Sequence, residues 1–163
     1  MSAFPPGFLS DEDFFHVVRH APLVAIDLIV TRGNGADVLL GQRRNPPAQG
    51  WWFVPGGRIR KGETLPDAFQ RLTLAELGVR LAIDEARLMG AWTHLYPQEA
   101  FRGLPVTDIH YVTLGYHLER DLETEALPAA QHGAFRWFPV AAALEDARVH
   151  RYTKWYLEAL ARG

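Results

Sequence analysis

The chain has 163 residues, 48% of them apolar and 22% charged, with seventeen basic against nineteen acidic side chains and no cysteine. Those proportions describe one globular domain with enough apolar mass for its own core, and they exclude a wholly disordered chain. Without cysteine there are no disulfides, thiolate zinc sites, iron–sulfur clusters or cysteine nucleophiles, and a formal charge of −2 offers no broad basic field for nucleic acid.

Residues 1–10 contain no Lys or Arg and are broken by Pro5-Pro6-Gly7, so no secretory leader is expected. Residues 1–9 read as a flexible arm ahead of a single domain over 10–163. No apolar run is long enough for a spanning helix, so no membrane role is expected and a cytoplasmic location is. Ser10 with Asp13 three positions on, then Phe14, Val17 and Val18, predicts a helix over 11–19. Leu23–Val30 predicts a central strand in which Asp27 is the odd residue, and Gly33-Asn34-Gly35 turns it back into Val38–Leu40. A polar loop through Arg43, Arg44, Pro46 and Pro47 leads to a short strand at Trp51–Val54, which Pro55-Gly56-Gly57 is expected to end.

Thr64, Pro66 and Asp67 open a helix over 65–77 that Gly78 closes. Leu65, Ala68, Leu72 and Ala75 form its expected apolar seam, with Arg71 and Glu76 off it. Strands are expected at Leu88–Tyr96, Ile109–Leu118 and Phe135–Phe138, with a polar loop over Pro97–Asp108 between the first two. Helices at Val140–Leu144 and 151–161 close the chain. The five tryptophans are read mostly as core. Strands interleaved with helices make the fold class α/β or α+β, a layered sandwich.

The stretch Gly56–Val79, GGRIRKGETLPDAFQRLTLAELGV, carries the chemistry. A glycine turn leading into a capped helix suits phosphate, because backbone N–H groups and the helix dipole point outward. Its spacing G-x5-E-x7-R-x4-E-x-G, through Gly57, Glu63, Arg71, Glu76 and Gly78, resembles the signature of the Nudix hydrolases. That resemblance implies an α/β/α sandwich with a mixed β-sheet. Two acidic positions of the signature are instead Leu72 and Ala75. The run Arg71-Leu72-Thr73-Leu74-Ala75-Glu76-Leu77-Gly78 is similar to the GDP-mannose mannosyl hydrolase branch. So are Gly41-Gln42-Arg43, Pro47–Gly50, Trp52–Arg58, His110-Tyr111 and Gln131-His132 ahead of Arg136-Trp137. Gly133-Ala134 depart from the branch, where acidic residues are expected.

That branch implies substitution at the anomeric carbon of GDP-mannose, with inversion, giving GDP and free sugar; GDP-glucose is a second expected substrate. It implies His132 as the general base, whose ordinary pKa near 6.5 suits neutral pH. It implies one Mg²⁺ per subunit, with Mn²⁺ as a substitute, held by Glu76, Gln131 and the Gly56 carbonyl; these are hard oxygen donors. Arg43, Arg58 and Arg71 are the expected phosphate and leaving-group side chains. Arg71 has an equally weighted alternative, holding its loop through Glu63 or Glu76. Asp27, His94 and Tyr111 are expected to contact sugar or leaving group, and a homodimer is implied. Two other readings stay open: a pyrophosphatase attacking phosphorus, and a non-catalytic nucleotide-sugar sensor.

Overall fold

The computed structural model describes residues 7–101, 104–129 and 132–163, as backbone alone over 98–101 and 104–106. Helix α1 (Asp11–His20) begins where the Asp13 N–H donates to Ser10 Oγ (3.1 Å). Strand β1 (Leu23–Arg32) turns into β2 (Asp37–Arg43). Strands β3 (Trp52–Phe53) and β4 (Gly56–Arg58) follow, then α2 (Leu65–Leu77). A 3₁₀ turn at Ile83–Glu85 leads to β5 (Arg87–Phe101) and β6 (Leu104–Glu119). A second 3₁₀ turn, β7 (His132–Pro139), α3 (Val140–Glu145) and α4 (Arg151–Arg162) complete the chain.

The strands form one mixed sheet in the order β3-β2-β1-β6-β5, with β4 added to β1 and β7 to β2. β1 runs parallel to β6 from Leu23↔Tyr111 to Thr31↔Glu119, and the other strand pairings described are antiparallel. β1 is buried on both faces, which explains its nearly unbroken apolar sequence. Ile26, Leu28 and Val30 point to a core shared with Ala68, Phe69, Leu72 and Leu77 of α2. Leu23 and Ile29 point to the other core, with Phe14 and Val18 of α1 and Tyr152, Tyr156 and Leu157 of α4. The period-two alternation of a strand therefore separates the two helical layers, and the fold is the expected α/β/α sandwich.

Three local expectations are corrected. Pro97–Asp108 is largely strand: β5 and β6 continue as a ladder through Glu99↔Thr107 to Phe101↔Leu104. Between Tyr96 and Glu99 the pairing slips by one residue, and this bulge takes in Pro97, which lacks a ladder donor. Gly56-Gly57 are not simply a strand terminator; they pair with Asp27 and Ile26 as β4. The buried face of α2 is Ala68, Phe69, Leu72, Thr73, Glu76 and Leu77, while Leu65 and Ala75 are exposed. Glu76 therefore lies one turn beyond Leu72 on the inner face, not off it. The tryptophans are mostly core, as expected: Trp52 is buried and Trp92 and Trp137 pack against the two cores, while Trp51 and Trp155 are exposed. The caps of α2 are as expected: the Asp67 N–H donates to Thr64 Oγ1 (3.2 Å), and Gly78, at φ 72°, returns its N–H to the Leu74 carbonyl. No helix among the described residues is long and apolar enough to cross a membrane.

Candidate active site

Where β4 lies across β1, the sheet and α2 enclose a cavity of about 350 Å³. Its lining includes Asp27 (β1), Arg43 (β2), Gly56, Gly57 and Arg58 (β4), Arg71 and Leu72 (α2), His94 (β5), and Tyr111 and Thr113 (β6). Seven of the residues singled out from the sequence, Asp27, Arg43, Gly56, Arg58, Arg71, His94 and Tyr111, thus meet at one place. Glu76 and His132 do not line the cavity. Gln131 lies outside the described residues.

Among the described residues Asp27 is the one acid in the lining, against four arginines, 43, 58, 60 and 71. Tyr156, fully buried in α4, donates its hydroxyl to Asp27 Oδ2 at 2.6 Å. Burial pushes the Asp27 carboxyl up to about 7; Tyr156 and Arg43 oppose that rise, and the charge of Glu76 adds to it. His94 Nε2 lies 3.3 Å from the same hydroxyl, and its Nδ1 lies 3.2 Å from Thr113 Oγ1. The two ring nitrogens of His94 thus face Tyr156 and Thr113, and Asp27, His94 and Thr113 gather around the one Tyr156 hydroxyl. Burial, with His150 and Arg151 nearby, holds His94 down at about 3, so it is a neutral donor at physiological pH. Its ring stacks on Tyr152 at 4.1 Å and 2°.

Arg71 makes a two-pronged pair with Glu63, Nε to Oε1 at 2.5 Å and Nη2 to Oε2 at 2.9 Å. Its Nη2 also donates to the Arg58 carbonyl (2.8 Å), and Glu63 Oε2 accepts the Arg60 N–H (2.7 Å). The pair with Arg71 holds the Glu63 carboxyl below its ordinary range. Arg71 therefore fixes the loop leading into α2, and Arg43, Arg58 and Arg60 add three further guanidinium groups around the cavity. The Arg58 guanidinium lies 4.0 Å over the Phe14 ring. Arg43 Nε is buried without a hydrogen-bond partner among the described residues.

The sequence places His132 in a polar loop. The structure makes it the first residue of β7 and buries it, because β7 pairs with β2 there and its register partner is Arg43. Its Nε2 lies 3.2 Å from Glu76 Oε2, and its Nδ1 has no partner among the described residues. The ring lies directly on Gly41, where a Cβ would collide with it. Leu72, at a position the signature makes acidic, is buried, and a Cβ on Gly57 would come within 2.6 Å of its Cδ2.

Sequence reasoning missed Tyr156, Thr113, Tyr96, Arg60 and Phe8 around this cavity. Tyr156 was visible only as a member of an apolar helical face. The signal that could have found it was Asp27, a buried strand acid that needs a hydroxyl donor. No group of three or more His, Asp or Glu among the described residues converges on a point as a ready-made metal cage.

The NUDIX domain family model matches residues 21–159. The chain is 36% identical over 157 residues to the low-salt glycan biosynthesis protein Agl8 of Haloferax volcanii, covering 96% of this chain and 93% of that protein. The MutT NUDIX hydrolase structure from Burkholderia pseudomallei superposes with a TM-score of 0.66 at 26% identity, over 86% of this chain and 98% of that one. The NUDIX domain of Shewanella oneidensis NrtR, complexed with ADP ribose, shares the fold at a TM-score of 0.66 and 18% identity, over 94% and 98% of the two chains. The chain belongs to the NUDIX family and is a Nudix-type hydrolase.

Proposed function

We propose that this Nudix hydrolase acts on a nucleoside diphosphate sugar, GDP-mannose with GDP-glucose as a second substrate, and breaks the bond at the anomeric carbon. The observation that carries this reading is Leu72. Beside Arg71, what α2 presents to the cavity is the Leu72 side chain packed on Gly57, and Ala75 is exposed. The acids the signature would use to gather cations around phosphorus are thus replaced, while the arginines remain. Three arginines beside the Glu63–Arg71 pair suit a diphosphate that departs as an anion, because charge developing on a leaving group is stabilised by preorganised cations. The relative whose name places it in glycan biosynthesis supports a sugar nucleotide.

The oxygen donors of this reading are of the kind that suits one hard divalent cation. Asp27 feels the charge of Glu76, and the Gly56 backbone lies opposite Asp27. Glu76 Oε1, the Gly56 carbonyl and Gln131 would hold Mg²⁺ or Mn²⁺. Bound there, such an ion supplies charge neutralisation to the diphosphate. Arg43 and Arg58 bind and orient the phosphates. Asp27 and Tyr111 meet the sugar, with Tyr156 holding Asp27 in place and neutral His94 packed behind them. His132, oriented by Glu76 through Nε2, is the general base in this reading, and because it does not line the cavity the proton of the attacking water reaches it through a second water. Attack from the face opposite the departing GDP inverts the anomeric centre. Arg43 lines the cavity and is the register partner of His132. The reading carries with it a homodimer.

Hydrolysis of GDP-mannose with Mg²⁺ in ¹⁸O-labelled water tests this. Label in free mannose with unlabelled GDP is the expected result. GMP with mannose 1-phosphate and label on phosphorus would overturn it in favour of a pyrophosphatase. Tight binding with no product in Mg²⁺ or Mn²⁺ would overturn it in favour of a sensor.

A further inference from the structure

Phe8 reaches the cavity from outside the elements that build it. It is 38% exposed, a large apolar side chain left open to solvent, yet it belongs to the cavity lining. Its place is fixed from both sides. Gly7, at φ 78°, lies so close to the 60–61 turn that a Cβ there would fall 2.9 Å from Arg60 Cβ and 3.0 Å from the Lys61 carbonyl. That approach sets the Phe8 ring against Arg60, whose guanidinium carbon is 4.4 Å from the ring centroid. The turn is held in its own right, through Glu63 accepting the Arg60 N–H and pairing with Arg71.

Asp27 is the register partner of Gly56 at the start of β4, and Arg60 lies four residues further along the chain. In extended backbone that is about 13 Å. Arg58, with a guanidinium suited to phosphate, lies between the two ends. A ligand with its sugar near Asp27 and its diphosphate on Arg58 therefore brings its far end to Phe8. What a flat, partly exposed aromatic ring backed by a guanidinium holds best is another flat π-system.

We propose that Phe8, positioned by Gly7 and backed by Arg60, is the platform on which the nucleobase of the substrate stacks. This assignment rests on the nucleoside diphosphate reading of the cavity, but not on which bond is broken. The platform is built for a π-face, so it recognises that a base is present without choosing between purines.

Calorimetric binding with Mg²⁺ tests it, using GDP, ADP and inorganic pyrophosphate on the full chain. Phe8→Ala should weaken GDP about 5- to 100-fold, the range typical of a lost base–aromatic stack, and leave pyrophosphate unchanged. Phe8→Trp should restore GDP affinity, and Phe8→Leu should not. Urea midpoints equal to wild type establish that the fold is intact, which the exposure of Phe8 leads us to expect. GDP affinity unchanged in Phe8→Ala, or equal losses for GDP and pyrophosphate, would overturn the platform. ADP bound with the same Phe8 dependence, but no turnover of GDP-mannose, would support the platform and remove the substrate assignment. A wild-type protein that binds neither nucleotide would overturn both.

Discussion

Replacing Asp27 by asparagine separates what this carboxyl costs the fold from what it gives the site. Asp27 is buried, and its carboxyl is pushed up to about 7 from an ordinary 3.8, chiefly by burial. A carboxyl whose folded pKa is raised favours folding below its unfolded pKa, and that contribution is lost as pH rises through the folded pKa. The window is therefore about pH 4 to 7. Each pH unit between the unfolded and folded pKa is worth about 1.36 kcal/mol, so the full loss above the window is at most about 4 kcal/mol. Asparagine has nearly the same shape and can still accept the Tyr156 hydroxyl, but it never ionises. Asp27→Asn should match wild type in stability near pH 4 and exceed it by up to about 4 kcal/mol at pH 8, on the order of 10 °C in Tm. Urea unfolding of both proteins in chelator, from pH 4 to 8, measures the difference, with the titrations of the histidines common to both. A stability difference that does not change with pH would refute the desolvation argument. Activity should fall in the same variant, since Asp27 is the one acid among the described residues of the cavity lining; an Asp27→Asn protein that is both stabilised and fully active would remove its role.

The other predictions are narrower. Arg71→Lys should behave like Arg71→Ala and lose about 1.5–3 kcal/mol, because an ammonium cannot span both Glu63 oxygens and the Arg58 carbonyl; a lysine variant as stable as wild type in urea would contradict this. Gly41→Ala drives a methyl group into the His132 ring, so under the proposed role of His132 as general base kcat should fall about 10²- to 10⁴-fold. Chemical shifts of the His132 imidazole should move with it, and an unmoved ring with normal turnover would disprove the contact. His94 is held at about 3, below its ordinary 6.5, mainly by burial. Its contribution to stability is complete above about pH 6.5 and declines as pH falls towards 3, so His94→Asn should flatten the acid limb of the unfolding profile; an unaltered limb would show that His94 is not buried neutral.

The helix over 65–77 was legible because its signals are local: a capping threonine, a proline in the first turn and a glycine after the last residue. Strand β1 was legible because burial on both faces leaves a run of apolar residues that few other structures require. The signature spacing was legible as well, since Glu63 and Arg71 are brought together by one loop and two turns of one helix. The inner face of α2 was not, because Leu65 and Ala75 are apolar in sequence yet exposed in the fold. Glu76 is polar yet buried, because β7 brings His132 over it. Pro97–Asp108 shows the same limit: a hydrogen-bond ladder with a bulge absorbs a proline that, read alone, ends a strand.

By itself the sequence determined the family, the layered fold, the loop–helix that faces the cavity, and the loss of two acids at Leu72 and Ala75. Only the tertiary structure decided which groups share one dielectric environment. Tyr156 meets Asp27 from a helix 129 residues away in the chain, and Glu76 meets His132 across 56. Phe8 meets Arg60 through a backbone approach that only a glycine at position 7 permits. Spacing along the chain encodes contacts within one or two turns of a helix or across a hairpin. Contacts made by stacking α4 on one face of the sheet and α2 on the other depend on how all the layers pack, and no local pattern carries them.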